Sequence, residues 1–145
     1  MDREGEGRRQ DWSMTNYNDR KKNNRILLVD DEPDITYIVE MVLQNNRFVV
    51  DSYTDPTLAL SNFKPRLYDL LLLDIRMPKM NGFELYQKMK EIDSNVKICF
   101  FTASELFYEE YRRFDPNTRL DKEYFIQKPF KTKEMIRQLN EILSH

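Results

Sequence analysis

The chain has 145 residues, of which 40% are hydrophobic, and a formal net charge of -2 at pH 7. That length fits one domain with a tail, and the near-neutral balance gives no overall basic field of the kind that attracts nucleic acid. The single cysteine, Cys99, excludes a disulfide framework within the chain, and no apolar run approaches the roughly 20 residues of a membrane span. We therefore expect a cytoplasmic protein without membrane insertion or direct nucleic-acid contact.

The first 24 residues are polar and show no periodicity, and they mix six Lys or Arg with five Asp or Glu. This composition predicts a disordered N-terminal tail over residues 1–24, followed by one folded domain over residues 25–145. Trp12 and Tyr17 could dock on a partner, but a solvated tail is the simpler interpretation.

From Arg25 onward, short apolar runs alternate with segments of helical periodicity. RILLVD (25–30) predicts a strand buried on both faces. Apolar residues at i, i+3, i+4, i+7 and i+8 then predict a helix with Pro33 in its first turn. RFVVDSY (47–53) predicts the second strand, and Asp55 is expected to cap a short helix after it.

The alternation continues in the second half of the chain. DLLLLD (69–74) predicts the third strand, and Asn81 with Glu84 has the spacing of a capping box at the next helix. VKICFFT (96–102) predicts the fourth strand, with Ser104 as the cap of the helix after it. EYFIQK predicts the fifth strand, and a final helix carries the apolar stripe Met135, Ile136, Leu139, Ile142 and Leu143.

Five βα units of this kind predict an α/β fold, a doubly wound five-stranded parallel sheet with helices on both faces. The second strand ends without a clear chemical group, so we place it at the sheet edge. The expected strand order is then 2-1-3-4-5, that of a flavodoxin-like (αβ)5 fold. In such sheets ligands bind at the carboxyl ends of the strands, where strands one and three diverge.

Polar side chains are predicted at those carboxyl ends: Asp30 and Asp31 after strand one, Asp74 at the end of strand three, Thr102 on strand four and Lys128 on strand five. Each has an ordinary structural interpretation by itself, such as a capping acid or a surface lysine. Together they suit phosphoryl chemistry, because Mg²⁺ relieves repulsion between clustered carboxylates. Asp74 could then act as a nucleophile that forms an aspartyl phosphate.

Four segments, LLVDDEPD, LLLLDIRMPKMNGFELY, CFFTAS and FIQKPF, have the order and similar spacing of motifs in response regulator receiver domains of two-component signal transduction. Residues 25–145 closely resemble this family, in particular a stand-alone, chemotaxis-regulator-like receiver. The resemblance implies a phosphorelay receiver rather than an enzyme with its own substrate, catalysing only its own phosphorylation and dephosphorylation. A sensor histidine kinase or phosphotransfer protein would supply the phosphoryl group from a phosphohistidine.

The resemblance also implies a metal site, residue by residue. Asp74 would be the phosphoacceptor and a ligand of Mg²⁺, for which Mn²⁺ could substitute. Asp31 would bind the metal directly and Asp30 through water, and the backbone carbonyl of Arg76 would complete the protein's share of the ligands.

Further residues match the family's positions that contact the phosphoryl group and that move on activation. Lys128 would contact the phosphoryl group, and its bond to Pro129 is cis in the family. Thr102 would move toward the phosphoryl oxygen on activation, and Phe125 would turn inward with it. The face of the fourth helix, fifth strand and fifth helix would then regulate an unknown downstream protein, either as a monomer or as a phosphorylation-dependent dimer.

The sequence departs from the family pattern at three places. Phe125 has no hydroxyl, so only packing can distinguish its two positions. The segment from residue 108 to 123 is a few residues longer than is usual and lacks a Gly-Ala pair before strand five. Arg76 places a large cation two residues after the acceptor, and we hypothesise that its side chain alters water access to the acyl phosphate.

Two other functions would account for parts of this pattern. A phosphatase of the haloacid-dehalogenase type would need a second acid two residues after the nucleophile, where this chain has Arg76. A pseudo-receiver that binds partners without phosphorylation remains an alternative. Because the sequence ends soon after the last predicted helix, we expect no DNA-binding output domain in it. A stand-alone receiver and a fragment of a longer regulator both fit.

Overall fold

A computed structural model describes residues 23–118 and 120–145. The strands are β1 (Arg25–Val29), β2 (Val49–Tyr53), β3 (Leu70–Asp74), β4 (Lys97–Thr102) and β5 (Phe125–Gln127). The helices are α1 (Pro33–Asn45), α2 (Pro56–Ser61), α3 (Gly82–Ile92), α4 (Phe107–Phe114) and α5 (Thr132–Leu143). The expected tail, including Trp12 and Tyr17, lies outside the described residues except for Asn23 and Asn24, so its disorder and the domain boundary stay predictions.

The five strands form one parallel sheet in the order β2-β1-β3-β4-β5. The predicted fold class and strand order are therefore confirmed. In the register, Val29 of β1 lies beside Leu73 of β3, and Asp74 lies beside Phe101 of β4. Because all the strands run in one direction, their carboxyl ends meet at a single edge of the sheet.

The leucine run of β3 is buried on both faces of the sheet. Leu71 and Leu73 pack on one side, and Leu70 and Leu72 pack on the other, all with no solvent exposure. Each fully buried leucine contributes about 1.5–3 kcal/mol of hydrophobic free energy. Cys99 is also fully buried, as expected. This packing fixes the end of β3, and with it Asp74.

The start of α3 is fixed by the predicted capping box. The Asn81 side chain accepts a hydrogen bond of 2.9 Å from the Glu84 N–H, and the Glu84 carboxylate accepts one of 3.0 Å from the Asn81 N–H. Gly82 follows and approaches β3 so closely that a Cβ there would lie 2.2 Å from the backbone oxygen of Asp74. A residue with a side chain would therefore displace the end of β3.

Three predicted details are wrong. Helix α4 begins at Phe107 without a side-chain cap, because the Ser104 hydroxyl accepts a hydrogen bond from the Leu106 N–H in the preceding turn. Strand β2 begins two residues late, since Arg47 adopts a positive φ in a turn. A 3-10 turn at Lys122–Tyr124 shortens β5. Within the described part of the chain, no helix is long and apolar enough to cross a bilayer.

Candidate functional site

The three acids predicted from the sequence lie together at the carboxyl edge of the sheet. Asp30 follows β1 and is fully buried, Asp74 ends β3 and is also buried, and Asp31 is half-buried between them and solvent. One carboxylate oxygen from each lies within 4.8 Å of the other two. Two neighbouring parallel strands that end at the same level bring these distant residues together.

Lys128 lies on the same edge, directly after β5. Its Nζ is 2.7 Å from Asp30 Oδ2, 3.5 Å from Glu32 Oε1 and 3.7 Å from Asp74 Oδ2. The side chain is only 12% exposed, and the ammonium also lies 4.8 Å from the centre of the Phe101 ring. The peptide bond to Pro129 is cis. The acids therefore face a mostly buried ammonium.

Backbone contacts hold Asp30 and the start of α1 in place. The Glu32 N–H donates a 2.9 Å hydrogen bond to Asp30 Oδ1, and the Thr36 hydroxyl donates to the backbone oxygens of Asp30 and Glu32. The sequence pattern does not point to Thr36, although its spacing of three and seven residues from Val39 and Leu43, which are buried with it in α1, is a signal that could have found it. These bonds orient the Asp30 carboxylate toward Lys128.

Burial, together with neighbouring charges, raises the proton affinity of Asp30 and Asp74. Burial, followed by the charge of Asp30, raises the pKa of Asp74 to about 7, although Lys128 opposes the change. Burial also raises the pKa of Asp30 despite its hydrogen bond from Lys128. Burial lowers the pKa of Lys128, but its hydrogen bond to Asp30 and the charge of Asp74 outweigh this and raise it. The ammonium therefore stays charged, and Asp30 and Asp74 hold protons more tightly than ordinary aspartates.

This donor set fits a hard divalent cation. Carboxylate oxygens are the ligands that Mg²⁺ prefers, and Mg²⁺ is usually held by one or two carboxylates while it keeps several waters. Asp31 is half-exposed, so the group of acids opens to solvent at one side. Burial and the charge of Asp30 raise the pKa of Asp74, and a cation there would favour the charged carboxylate and lower that pKa.

Thr102 and Phe125 lie close to the site but do not contact the acids in the described part of the chain. Thr102 is buried at the end of β4; its hydroxyl accepts a hydrogen bond from the Ser104 N–H, and its backbone oxygen accepts one from the Lys128 N–H. Phe125 is 4% exposed and stacks on Phe100 at 5.3 Å between ring centroids. The aromatic side chain therefore occupies an inward position.

The side chain of Arg76 points to a partner that the sequence did not suggest. Its guanidinium forms an ion pair with Glu110 of α4. The two residues lie on separate elements, 34 positions apart, so no local pattern connects them. The metal-ligand role of the Arg76 carbonyl remains a prediction.

Comparison with known proteins places the site in a family context. A family model described as the response regulator receiver domain matches residues 26–140. Regulatory protein VanRB from Enterococcus faecalis is 32% identical over 119 residues, which cover 82% of this chain and 52% of that protein. The chain thus spans about half the length of the curated relatives that it matches.

Two solved structures resemble the fold. The non-phosphorylated HemR receiver domain from Leptospira biflexa has a TM-score of 0.72 and 28% identity, and the match covers 85% of this chain and 96% of that one. The response regulator protein TrrA from Thermotoga maritima, solved in complex with Mg²⁺-BeF, has a TM-score of 0.63 and 28% identity over 82% of this chain and 98% of that one. Both matches cover most of the chain that carries the site.

Proposed function

Because this chain belongs to the response regulator receiver domain family, we propose that Asp74 receives a phosphoryl group from the phosphohistidine of a sensor histidine kinase or phosphotransfer protein. One observation carries the proposal: Asp30, Asp31 and Asp74 present oxygens within 4.8 Å of one another, and the Lys128 ammonium lies 3.7 Å from Asp74. The groups that would serve as nucleophile, metal ligands and cation for the phosphoryl group therefore lie close together.

In the transfer step, a carboxylate oxygen of Asp74 forms a bond to phosphorus while the bond between phosphorus and the histidine nitrogen breaks. The electron pair of that bond stays on the imidazole nitrogen, and the ring leaves neutral because its other nitrogen already carries a proton or because the ring takes one up from water. Asp31, Asp74 and the Arg76 carbonyl would hold Mg²⁺, with Asp30 bound through water. When bound, Mg²⁺ neutralises charge on a phosphoryl oxygen and aligns the group.

Lys128 and Thr102 would hold the other phosphoryl oxygens. The ammonium of Lys128 lies against two acids already, so a phosphoryl oxygen on Asp74 would meet it after only a small movement. Charge-assisted hydrogen bonds of this kind are about twice as strong as neutral ones. The Thr102 hydroxyl ends the adjacent strand and would turn toward the phosphoryl group.

The output would be a population shift in the face formed by α4, β5 and α5. Phe125 packs against Phe107 and Tyr108 of α4, at 5.0 and 5.8 Å between ring centroids, so α4 and Phe125 must move together. Phe125 already lies inward in this structure, so a phosphoryl group that draws Thr102 inward would stabilise this position of the ring and the matching position of α4. The downstream protein would bind this face, and the kinase or phosphotransfer protein would bind at the site around Asp74.

The proposal is tested by incubating the protein with Mg²⁺ and acetyl phosphate and measuring the intact mass. We expect one phosphoryl group on the parent protein and none on Asp74→Asn or in the presence of a chelator. Phosphorylation of Asp74→Asn to the same extent, or a parent that stays unmodified, would contradict the proposal.

A further inference from the structure

The loop between β3 and α3 is tied to a helix on each side by an ion pair. Lys79 lies 2.9 Å from Asp55 at the start of α2, and Arg76 pairs with Glu110 of α4. Arg76 follows the proposed phosphoacceptor Asp74 by two residues. A single side chain therefore joins the loop of the site to the first turn of α4.

The Arg76 guanidinium is held by this ion pair and by little else. Its side chain is 65% exposed, whereas that of Glu110 is 20% exposed. Both border a cavity of about 480 Å³ between the loop and α4, which is also lined by Ile75, Met77, Pro78, Asn81 and Phe83. Among the described residues, Glu110 is the hydrogen-bond partner of this guanidinium. This cavity leaves room for the guanidinium to move away from Glu110.

Phosphorylation of Asp74 would add negative charge within two residues of Arg76. An exposed ion pair is weak because water screens it, so a new anion close by can compete for the guanidinium. We propose that Glu110 is a positioning residue that competes with the phosphoryl group on Asp74 for Arg76. This inference rests on the proposed function of Asp74.

A change in the acidic partner of Arg76 would affect Phe125 through helix α4. Helix α4 starts without a side-chain cap, so the ion pair to Arg76 is a tertiary tether for its first turn. Phe107 and Tyr108 of that turn contact the Phe125 ring. When Arg76 leaves Glu110, the tether is lost where α4 packs on Phe125. Occupancy of the site and the position of α4 are thereby coupled.

If Glu110 competes with the phosphoryl group for Arg76, removal of its charge should strengthen anion binding at the site, whereas damage to the fold would weaken it. Glu110→Gln keeps the size of the side chain, removes the competing charge and leaves Arg76 available to the phosphoryl group. We therefore expect Glu110→Gln to bind beryllofluoride, in the presence of Mg²⁺, about two- to fivefold more tightly than the parent, a range set by the strength of exposed ion pairs. Arg76→Gln should bind it more weakly, and the double variant should match Arg76→Gln.

The measurement is a beryllofluoride titration at fixed Mg²⁺, repeated at high salt, where the gain should shrink. Glu141→Gln is the matched control, because Glu141 forms a 3.1 Å ion pair with Arg137 on the exposed surface of α5 and should leave the affinity unchanged. An affinity of Glu110→Gln equal to or below that of the parent, or a gain that persists without Arg76, would overturn the inference. A parent that does not bind beryllofluoride, or an equal affinity of Asp74→Asn, would overturn the proposed function instead.

Discussion

Lys128 and Asp30 form a close ion pair, 2.7 Å between Nζ and Oδ2, although they are 98 residues apart in the chain. The same ammonium is 3.7 Å from Asp74. Without a metal ion, Lys128 is thus the main cation that compensates the buried acids. A bound cation would take over that role at Asp30 and leave Lys128 available to a phosphoryl oxygen.

Removal of the ammonium should therefore destabilise the metal-free protein. Lys128→Met leaves buried acids without their partner, and breaking a buried ion pair in this way costs about 3 kcal/mol. We expect the free energy of unfolding in urea, measured with a chelator at pH 8, to fall by about that amount. Mg²⁺ should stabilise the variant more than it stabilises the parent, since it replaces the lost charge.

The control is Lys133→Met, because Lys133 is exposed on α5. Its unfolding free energy should stay close to that of the parent and should respond to Mg²⁺ in the same way. Equal stability of Lys128→Met and Lys133→Met would show that Lys128 does not compensate the acids.

The raised pKa of Asp74 predicts a pH-dependent effect of Asp74→Asn. The folded protein keeps a proton on Asp74 up to about pH 7, whereas in the unfolded chain an aspartate loses it near pH 4. The folded state therefore binds more protons between these values, and the contribution of Asp74 to stability falls as the pH rises from about 4 to 7. Asp74→Asn should stabilise the metal-free protein more at pH 8 than at pH 5.

Urea unfolding of the parent and of Asp74→Asn at both pH values, with a chelator present, measures that difference. The same proton competes with Mg²⁺, so the affinity of the parent for Mg²⁺ should fall below pH 7. A stability difference that is the same at pH 5 and pH 8 would exclude a raised pKa at Asp74.

Gly82 is the position where α3 and the end of β3 come closest. A Cβ at Gly82 would lie 2.2 Å from the Asp74 backbone oxygen, so Gly82→Ala must move the end of β3. We expect a loss of about 1–3 kcal/mol of unfolding free energy together with weaker Mg²⁺ binding, measured by calorimetry.

Asn81→Ala is a control on the neighbouring residue. It removes the capping box, which costs about 1 kcal/mol, but it adds no atoms beside Asp74. Its affinity for Mg²⁺ should therefore match that of the parent. If both variants weakened Mg²⁺ binding equally, the cause would be a general loosening of α3 and not the contact between Gly82 and β3.

The buried position of Phe125 predicts the effect of a hydroxyl at this site. Phe125 stacks on Phe100 and Phe107, so the hydroxyl of Phe125→Tyr would be buried or would force the ring outward. An unsatisfied buried hydroxyl costs about 1–3 kcal/mol. Phe114→Tyr, on a ring that is 40% exposed, should be nearly neutral in urea unfolding. Equal effects of the two substitutions would mean that Phe125 is not held inward.

Much of the fold could be predicted because the decisive signals are local. The leucine run of β3 and the capping box at Asn81 and Glu84 depend on short stretches of sequence, and both are present. The position of the acids followed from the strand order, since parallel strands end at one edge of a sheet. The predicted helix cap at Ser104 is wrong because a hydroxyl can accept a hydrogen bond from an N–H in a turn as well as from one in a helix.

Other features depend on how distant elements pack. The ion pair of Arg76 with Glu110 requires α4 to lie beside the loop after β3, and no spacing in the sequence encodes that approach. The sequence spacing likewise does not encode that Lys128 makes its 2.7 Å contact with Asp30 and not with the acceptor Asp74. The strand order predicted that the three acids and Lys128 meet, whereas the packing of distant elements determines which of them pair.

The proposed function requires Asp31 and Asp74 to share one metal ion while Lys128 faces the acceptor. A crystal structure of the protein with Mg²⁺ and beryllofluoride is the decisive test. We expect one beryllofluoride on Asp74, contacted by Lys128, and one Mg²⁺ at about 2.1 Å from oxygens of Asp31, Asp74 and the Arg76 backbone. A metal ion bound away from these acids, or beryllofluoride on another residue, would contradict it.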